Sequence, residues 1–249
     1  MKRLLFVILI FVLLCEAKTA AALPIPLEIL DVYSSVTVQD FSVPRADWIY
    51  IEEHGVSASA LTITYDLGAM FGDQHGEILV DPNNGEVIAR GFSHTHIVPS
   101  PFAEAFSSWG KHVVLSKIVV PDTGSEKTEV IINVEVLNSD DGQALMRVIP
   151  QAQWDSNNFL PNGYTSWLGV APPSSQYVYP FYPNEIVYLA FGIEPGVGIF
   201  GSVPEFHNHD LIEVKYSVFT RTGPIPELSQ TIYFITGIGF FFFKKLRFI

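Results

Sequence analysis

The sequence predicts an all-β chain: an antiparallel β-sandwich of jelly-roll-like type, flanked by an N-terminal signal peptide and a C-terminal hydrophobic helix. Three observations predict it. Alternating apolar and polar residues, rich in Val, Ile, Thr and aromatics, recur in nine short runs between residues 35 and 220. Turn residues separate the runs. No stretch of 12 residues carries the 3.6 period of an amphipathic helix, so the sheets must bury their apolar faces against each other.

The predicted strands are 35–41, 58–65, 76–80, 86–97, 112–120, 129–137, 144–149, 185–192 and 211–220. Asp81-Pro82-Asn83-Asn84-Gly85 is a hairpin turn, with Gly85 supplying the left-handed position. Asp140-Asp141-Gly142 is a second turn signal. Only 102–109 reads as a short helix. Residues 155–183, rich in Pro, Asn, Ser and aromatics, read as a long ordered loop region within one domain. No internal repeat occurs.

The two ends lie outside that body. Lys2 and Arg3 precede the apolar run 4–14, and Ala20, Ala21 and Ala22 supply small residues for cleavage. This is the three-part layout of a secretory signal peptide, placed at 1–22 with the cut after Ala22 and Ala20 or Ala21 as neighbouring positions. Leu14 before Cys15 is too bulky for lipoprotein processing. The single cysteine therefore leaves with the signal, which suits an oxidising compartment. At the other end an apolar segment, 228–243, precedes Lys244, Lys245 and Arg247. Basic residues in that place favour the cytoplasmic side of a membrane.

Pro226-Glu227, the apolar segment with Gly237 and Gly239, and the terminal basic cluster together resemble the PEP-CTERM sorting signal of bacterial exosortase substrates. The resemblance covers 224–249 only, and Leu228 stands where the motif has its second proline. It implies an exosortase-type processing enzyme as partner and cleavage or transfer near Pro226 and Glu227. It further implies membrane association through the C-terminal segment during sorting, and association with surface polysaccharide. The expected organisation is 1–22 signal, 23–223 sandwich body and 224–249 sorting segment. The expected location is the inner membrane during sorting, then the cell surface or beyond.

Composition narrows the function classes. The 249 residues are 48% hydrophobic and 16% charged, with a net charge of −12, against about 25% charged in an average chain. Disorder needs the opposite balance. One cysteine excludes a disulfide scaffold and a Cys-based zinc finger. Residues 23–227 hold eight basic and 25 acidic side chains, a net charge of −17. Such a body repels nucleic acid and other polyanions.

Two His-x-His pairs, His94/His96 and His207/His209, are the sharpest chemical signal. Residues i and i+2 of a strand face the same way, and imidazoles so placed can share a metal ion. Seven histidines in 249 residues would give about 0.2 such pairs at random. The sequence has two, expected to meet at a sheet rim and hold a divalent metal, with Glu205 and Asp210 as supporting carboxylates. Tyr164, Trp167, Tyr177, Tyr179 and Tyr182 could stack on sugar rings. Gly196-Val-Gly198-Ile-Phe-Gly201 lacks the following helix a dinucleotide site needs and reads as a strand or turn. No Gly-x-Ser-x-Gly occurs, and Glu52-Glu53 has no assignable partner. No cofactor is expected beyond the divalent metal. The expectation is a non-catalytic envelope or matrix protein. Its rivals are a carbohydrate-binding module using the loop aromatics and a metal-dependent enzyme using the histidines.

Overall fold

The computed structural model describes residues 22–40, 49–55, 60–67, 70–97, 105–140, 142–157, 169–172, 174–200 and 206–221. The strands in chain order are β1 (Ala22–Pro24), β2 (Glu28–Asp40), β3 (Ile49–Gly55), β4 (Ala60–Asp66), β5 (Met70–Asp81), β6 (Glu86–Ile97) and β7 (Ala105–Val119). There follow β8 (Thr128–Ser139), β9 (Gln143–Pro150), helix α1 (Gln151–Asn157), β10 (Gly169–Val170), β11 (Ser175–Phe181), β12 (Ile186–Glu194), β13 (Gly196–Phe200) and β14 (Phe206–Arg221).

They form two antiparallel sheets, and a sandwich fits the arrangement. The first runs β11-β8-β14-β6-β5-β4, with β1 added to β14. The second runs β10-β9-β12-β7-β2-β3, with β13 added to β7. Ile78, Val87 and Tyr216 of the first sheet meet Val114, Val187 and Phe191 of the second in the main core. Alternation along β4 is strict, with Leu61, Ile63 and Tyr65 inside and Thr62 and Thr64 outside. A second apolar cluster, of Val36, Val38, Met70 and Ile97 with the β4 residues, fills the opposite end.

Between the clusters lies a buried polar belt: Ser34, Gln74, Ser93, Thr95, Ser108 and His112. The Gln74 amide donates to Ser93 Oγ at 3.2 Å and also to Ser108 Oγ. Tyr65 and Thr95 share a hydroxyl hydrogen bond of 2.7 Å. Neither ring nitrogen of His112 has a hydrogen-bond partner among the described residues. Its ring lies flat against the place where Gly76 has no side chain.

The predicted hairpin turn joins β5 to β6. Gly85 has φ +65°. A Cβ there would come within 2.6 Å of the carbonyl oxygens of Ile25 and Val218, so glycine is required twice over. Gly196 to Phe200 is strand β13, as expected of a glycine-rich strand.

Two sequence expectations are corrected. The described part of 102–109 is the start of β7, not helix: residues 105–109 pair with β13, and 106–109 pair with β2 as well. Partners on both sides satisfy the backbone, and that outweighs local propensity. The loop region 155–183 contains strand β11, which pairs with β8 over seven residues. Pro180 is tolerated because β11 is an edge strand. Among the described residues the one helix is instead α1, whose Trp154 stacks on Tyr188 at 4.1 Å over the outer face of the second sheet. No helix among the described residues is long and apolar enough to cross a membrane. The apolar segment 228–243 lies outside the described residues.

Candidate functional site

The four predicted histidines come together. His94 and His96 point outward from β6 because Ser93, Thr95 and Ile97 between and beside them are buried. In the β6–β14 register His96 faces His207 and His94 faces His209. The result is a ladder of two rungs on the outer face of the first sheet. The His96 and His207 ring centroids are 3.7 Å apart, tilted by 49°. Those of His94 and His209 are 6.4 Å apart.

Neighbouring strands frame the ladder. Phe71 on β5 packs on His96 at 4.5 Å. Phe92 stacks between His75 at 5.4 Å and His209 at 6.4 Å. Asp73 is 3.3 Å from His94 Nδ1, and Asp140 is 4.0 Å from His209 Nδ1. Thr62 holds His75 Nδ1 at 2.7 Å. Five histidines thus share one exposed face.

Asp210 does not support the ladder. It is buried on the opposite side of β14, where its Oδ2 accepts the Gly196 N–H at 2.8 Å. Strand alternation sends it inward, and Asp73 and Asp140 flank the imidazoles instead. Glu205 lies outside the described residues. Among the described residues no group of three or more His, Cys, Asp or Glu side chains is placed to hold a metal ion.

Of the predicted sugar-stacking residues, Tyr177 and Tyr179 lie on the core-facing side of β11 and pack against the main core. Their rings stack at 6.5 Å and border a cleft of about 280 Å3 with Arg147 and Val170. Tyr182 is exposed under the Lys127 ammonium, 4.9 Å from its ring. Tyr164 and Trp167 lie outside the described residues, as do Ala20, Pro226 and Glu227. Ala22 opens β1, opposite Arg221.

A second cleft, missed by the sequence reading, lies on the outer face of the second sheet. It has a volume of about 320 Å3. Tyr33, Tyr50 and Trp109 wall it, Ser35, Thr37 and Gly110 floor it, and Lys111 and Glu194 close one side. Tyr50 is 60% exposed and Trp109 36%, so both rings offer surface to a ligand. Lys111 Nζ is 3.5 Å from Glu194.

A chain of polar groups holds the tyrosine wall. Tyr50 donates to Glu52 at 2.5 Å. His54 sits between Glu52 and Asp31, 2.9 Å from each, and Tyr33 packs on its ring at 5.0 Å. Partial burial works against charging His54, but the hydrogen bonds to Glu52 and Asp31 outweigh it and raise its pKa. The bonds from Tyr50 and His54 lower that of Glu52. The Glu52 bond raises that of Tyr50, so the phenol stays protonated. His54 should therefore titrate above 6.5, the ordinary imidazole value. Glu52→Gln should bring the midpoint down, read by NMR of the ring protons; an unchanged midpoint would remove Glu52 from the network. The sequence signal was present, because Tyr50, Glu52 and His54 at i, i+2 and i+4 share one strand face.

No family model, curated protein or solved structure matches the chain.

Proposed function

We propose that this chain is an exported, non-catalytic protein retained at the cell surface or in the extracellular matrix, where it binds neutral polysaccharide through the cleft of Tyr33, Tyr50 and Trp109. The aromatic cleft carries the reading. The apolar faces of sugar rings suit aromatic platforms, and hydroxyls suit the charged and polar groups at its edge, Lys111, Glu194 and Glu52. Tyr50 is oriented before any ligand arrives, which reduces the ordering cost of binding. The net charge of −17 over 23–227 favours a neutral polymer over an anionic one.

The strand orders β6-β14-β8-β11 and β7-β12-β9-β10 support a jelly-roll-like reading of the sandwich. Consecutive strands from β6 to β9 alternate between the two sheets, as jelly rolls do. Lectin domains use that architecture, which is support by fold analogy alone. Export and sorting rest on the signal-like 1–22 and the PEP-CTERM-like 224–249. An exosortase-type enzyme cuts near Pro226 and Glu227 in this reading.

The test is retention on insoluble neutral glucans and xylans. Trp109→Ala should lower retention by at least about tenfold, the loss of one stacked ring. Equal retention of the wild-type chain and this variant would reject the cleft. Export is read separately: intact mass of surface material should start at Leu23 and lack residue 249.

A further inference from the structure

We propose that the outer face of the first sheet carries a chelating site for a borderline divalent transition-metal ion, Cu2+, Ni2+ or Zn2+, with His96 and His207 as its protein ligands. The site lies on the other sheet from the aromatic cleft and does not depend on the polysaccharide reading. Imidazole is the side chain these ions prefer. Metal–nitrogen bonds of about 2.0–2.1 Å place two nitrogens on one ion roughly 3 Å apart. Two imidazoles bonded edge-on to one ion hold their ring centroids roughly 4.5–5 Å apart, so the His96 and His207 rings, now 3.7 Å apart, must swing outward by about 1 Å to bring one nitrogen each onto an ion.

The backbone fixes the pair. β6 lies between β14 and β5, and β14 between β8 and β6. His96 is paired on both sides, with Phe71 of β5 and His207 of β14, while His207 is held by the β6 ladder alone, because the ladder of β14 with β8 begins at Ile212. Phe71 against His96 restricts that ring further. Little conformational freedom is lost when an ion arrives.

The second rung extends the site without joining it. His94 and His209 lie one strand repeat away, about 7 Å along the strands, too far for all four rings to bond one ion at 2.1 Å. Their own spacing of 6.4 Å is wider. Asp73 at His94 Nδ1 orients that ring and leaves Nε2 for a metal. The geometry therefore describes one tighter two-histidine position and one looser neighbour, each with coordination positions left for water or an outside ligand. This replaces the single four-nitrogen centre expected from the sequence.

The experiment is titration of the full chain, without a histidine tag, with CuCl2 or NiCl2, followed by calorimetry and, for copper, by electron paramagnetic resonance. Expected are saturable binding and hyperfine splitting from two imidazole nitrogens at the first equivalent. His207→Gln and His96→Gln should each weaken that step by at least about tenfold. His54→Gln, on the other sheet, should leave it unchanged. Circular dichroism checks that each variant folds, and His94→Gln should affect the second equivalent more than the first. Wild-type affinity retained in both His96→Gln and His207→Gln, or no saturable binding by the wild-type chain, would overturn the proposal.

Discussion

Gly76→Ala is expected to destabilise the fold by about 3 kcal/mol, the upper range for overpacking a filled core. A Cβ at this position would overlap three atoms of the His112 ring. The ring is fully buried, with Ser34 opposite it on β2 and Ile193 on β12. It has nowhere to retreat. An unhindered Gly→Ala change in a strand would instead stabilise by several tenths of a kcal/mol through the unfolded chain. The sign of the effect is therefore diagnostic. Urea denaturation measures it, and Gly76→Ala/His112→Ala should lose much less than the sum of the two single changes. Additive losses would show that the ring and the glycine do not compete for one space.

The same histidine should make the protein acid-labile in an unusual window. Burial, aided by the nearby charge of His75, pushes the His112 pKa down to about 3. In the unfolded chain it is about 6.5. Between those values the unfolded state binds the extra proton, so stability is complete above pH 6.5 and falls as pH drops toward 3. The slope approaches about 1.4 kcal/mol per pH unit for one group. The interval from pH 6.5 to 5.5 isolates it, because ordinary carboxylates titrate lower. His54, with its raised pKa, acts in the opposite direction, contributing stability that is lost as pH rises. Urea midpoints at pH 6.5 and 5.5 should differ in the wild-type chain, and His112→Leu should flatten the difference. An equal acid loss in His112→Leu would assign the effect elsewhere.

Much of the sandwich was legible because its central strands are uniform in pattern. The limits of β6 coincide with the predicted 86–97, where alternation is unbroken and a turn fixes the start. The unpredicted strands hide their pattern for physical reasons. β3 is an edge strand carrying Glu52, Glu53 and His54, the charges that discourage edge-to-edge pairing. β11 contains Pro180, which reads as a strand breaker until its edge position is known.

The candidate sites divide along the same line. Alternation alone places His94 with His96, and His207 with His209. That the two pairs stand opposite each other depends on the β6–β14 register, set by core burial between segments more than a hundred residues apart. Sequence spacing carries no such information. The aromatic cleft is less legible still, since Tyr33, Tyr50, Trp109 and Glu194 come from four different strands. The buried destination of Asp210 follows from alternation once His209 is known to face outward.

Ala22 lies beside Arg221 across the β1–β14 ladder, so the body's first and last described residues leave it at one point. β14 runs from there to the histidine ladder without interruption. At about 3.3 Å per residue, His207 stands roughly 45 Å from Arg221. A tether attached beyond Arg221 would thus hold the body like a flag by one corner. The imidazoles would be carried to the far tip, well beyond the Debye length of about 10 Å at which a charged membrane surface is felt. Whatever meets the ladder would then meet it from the outside, before it reaches the membrane.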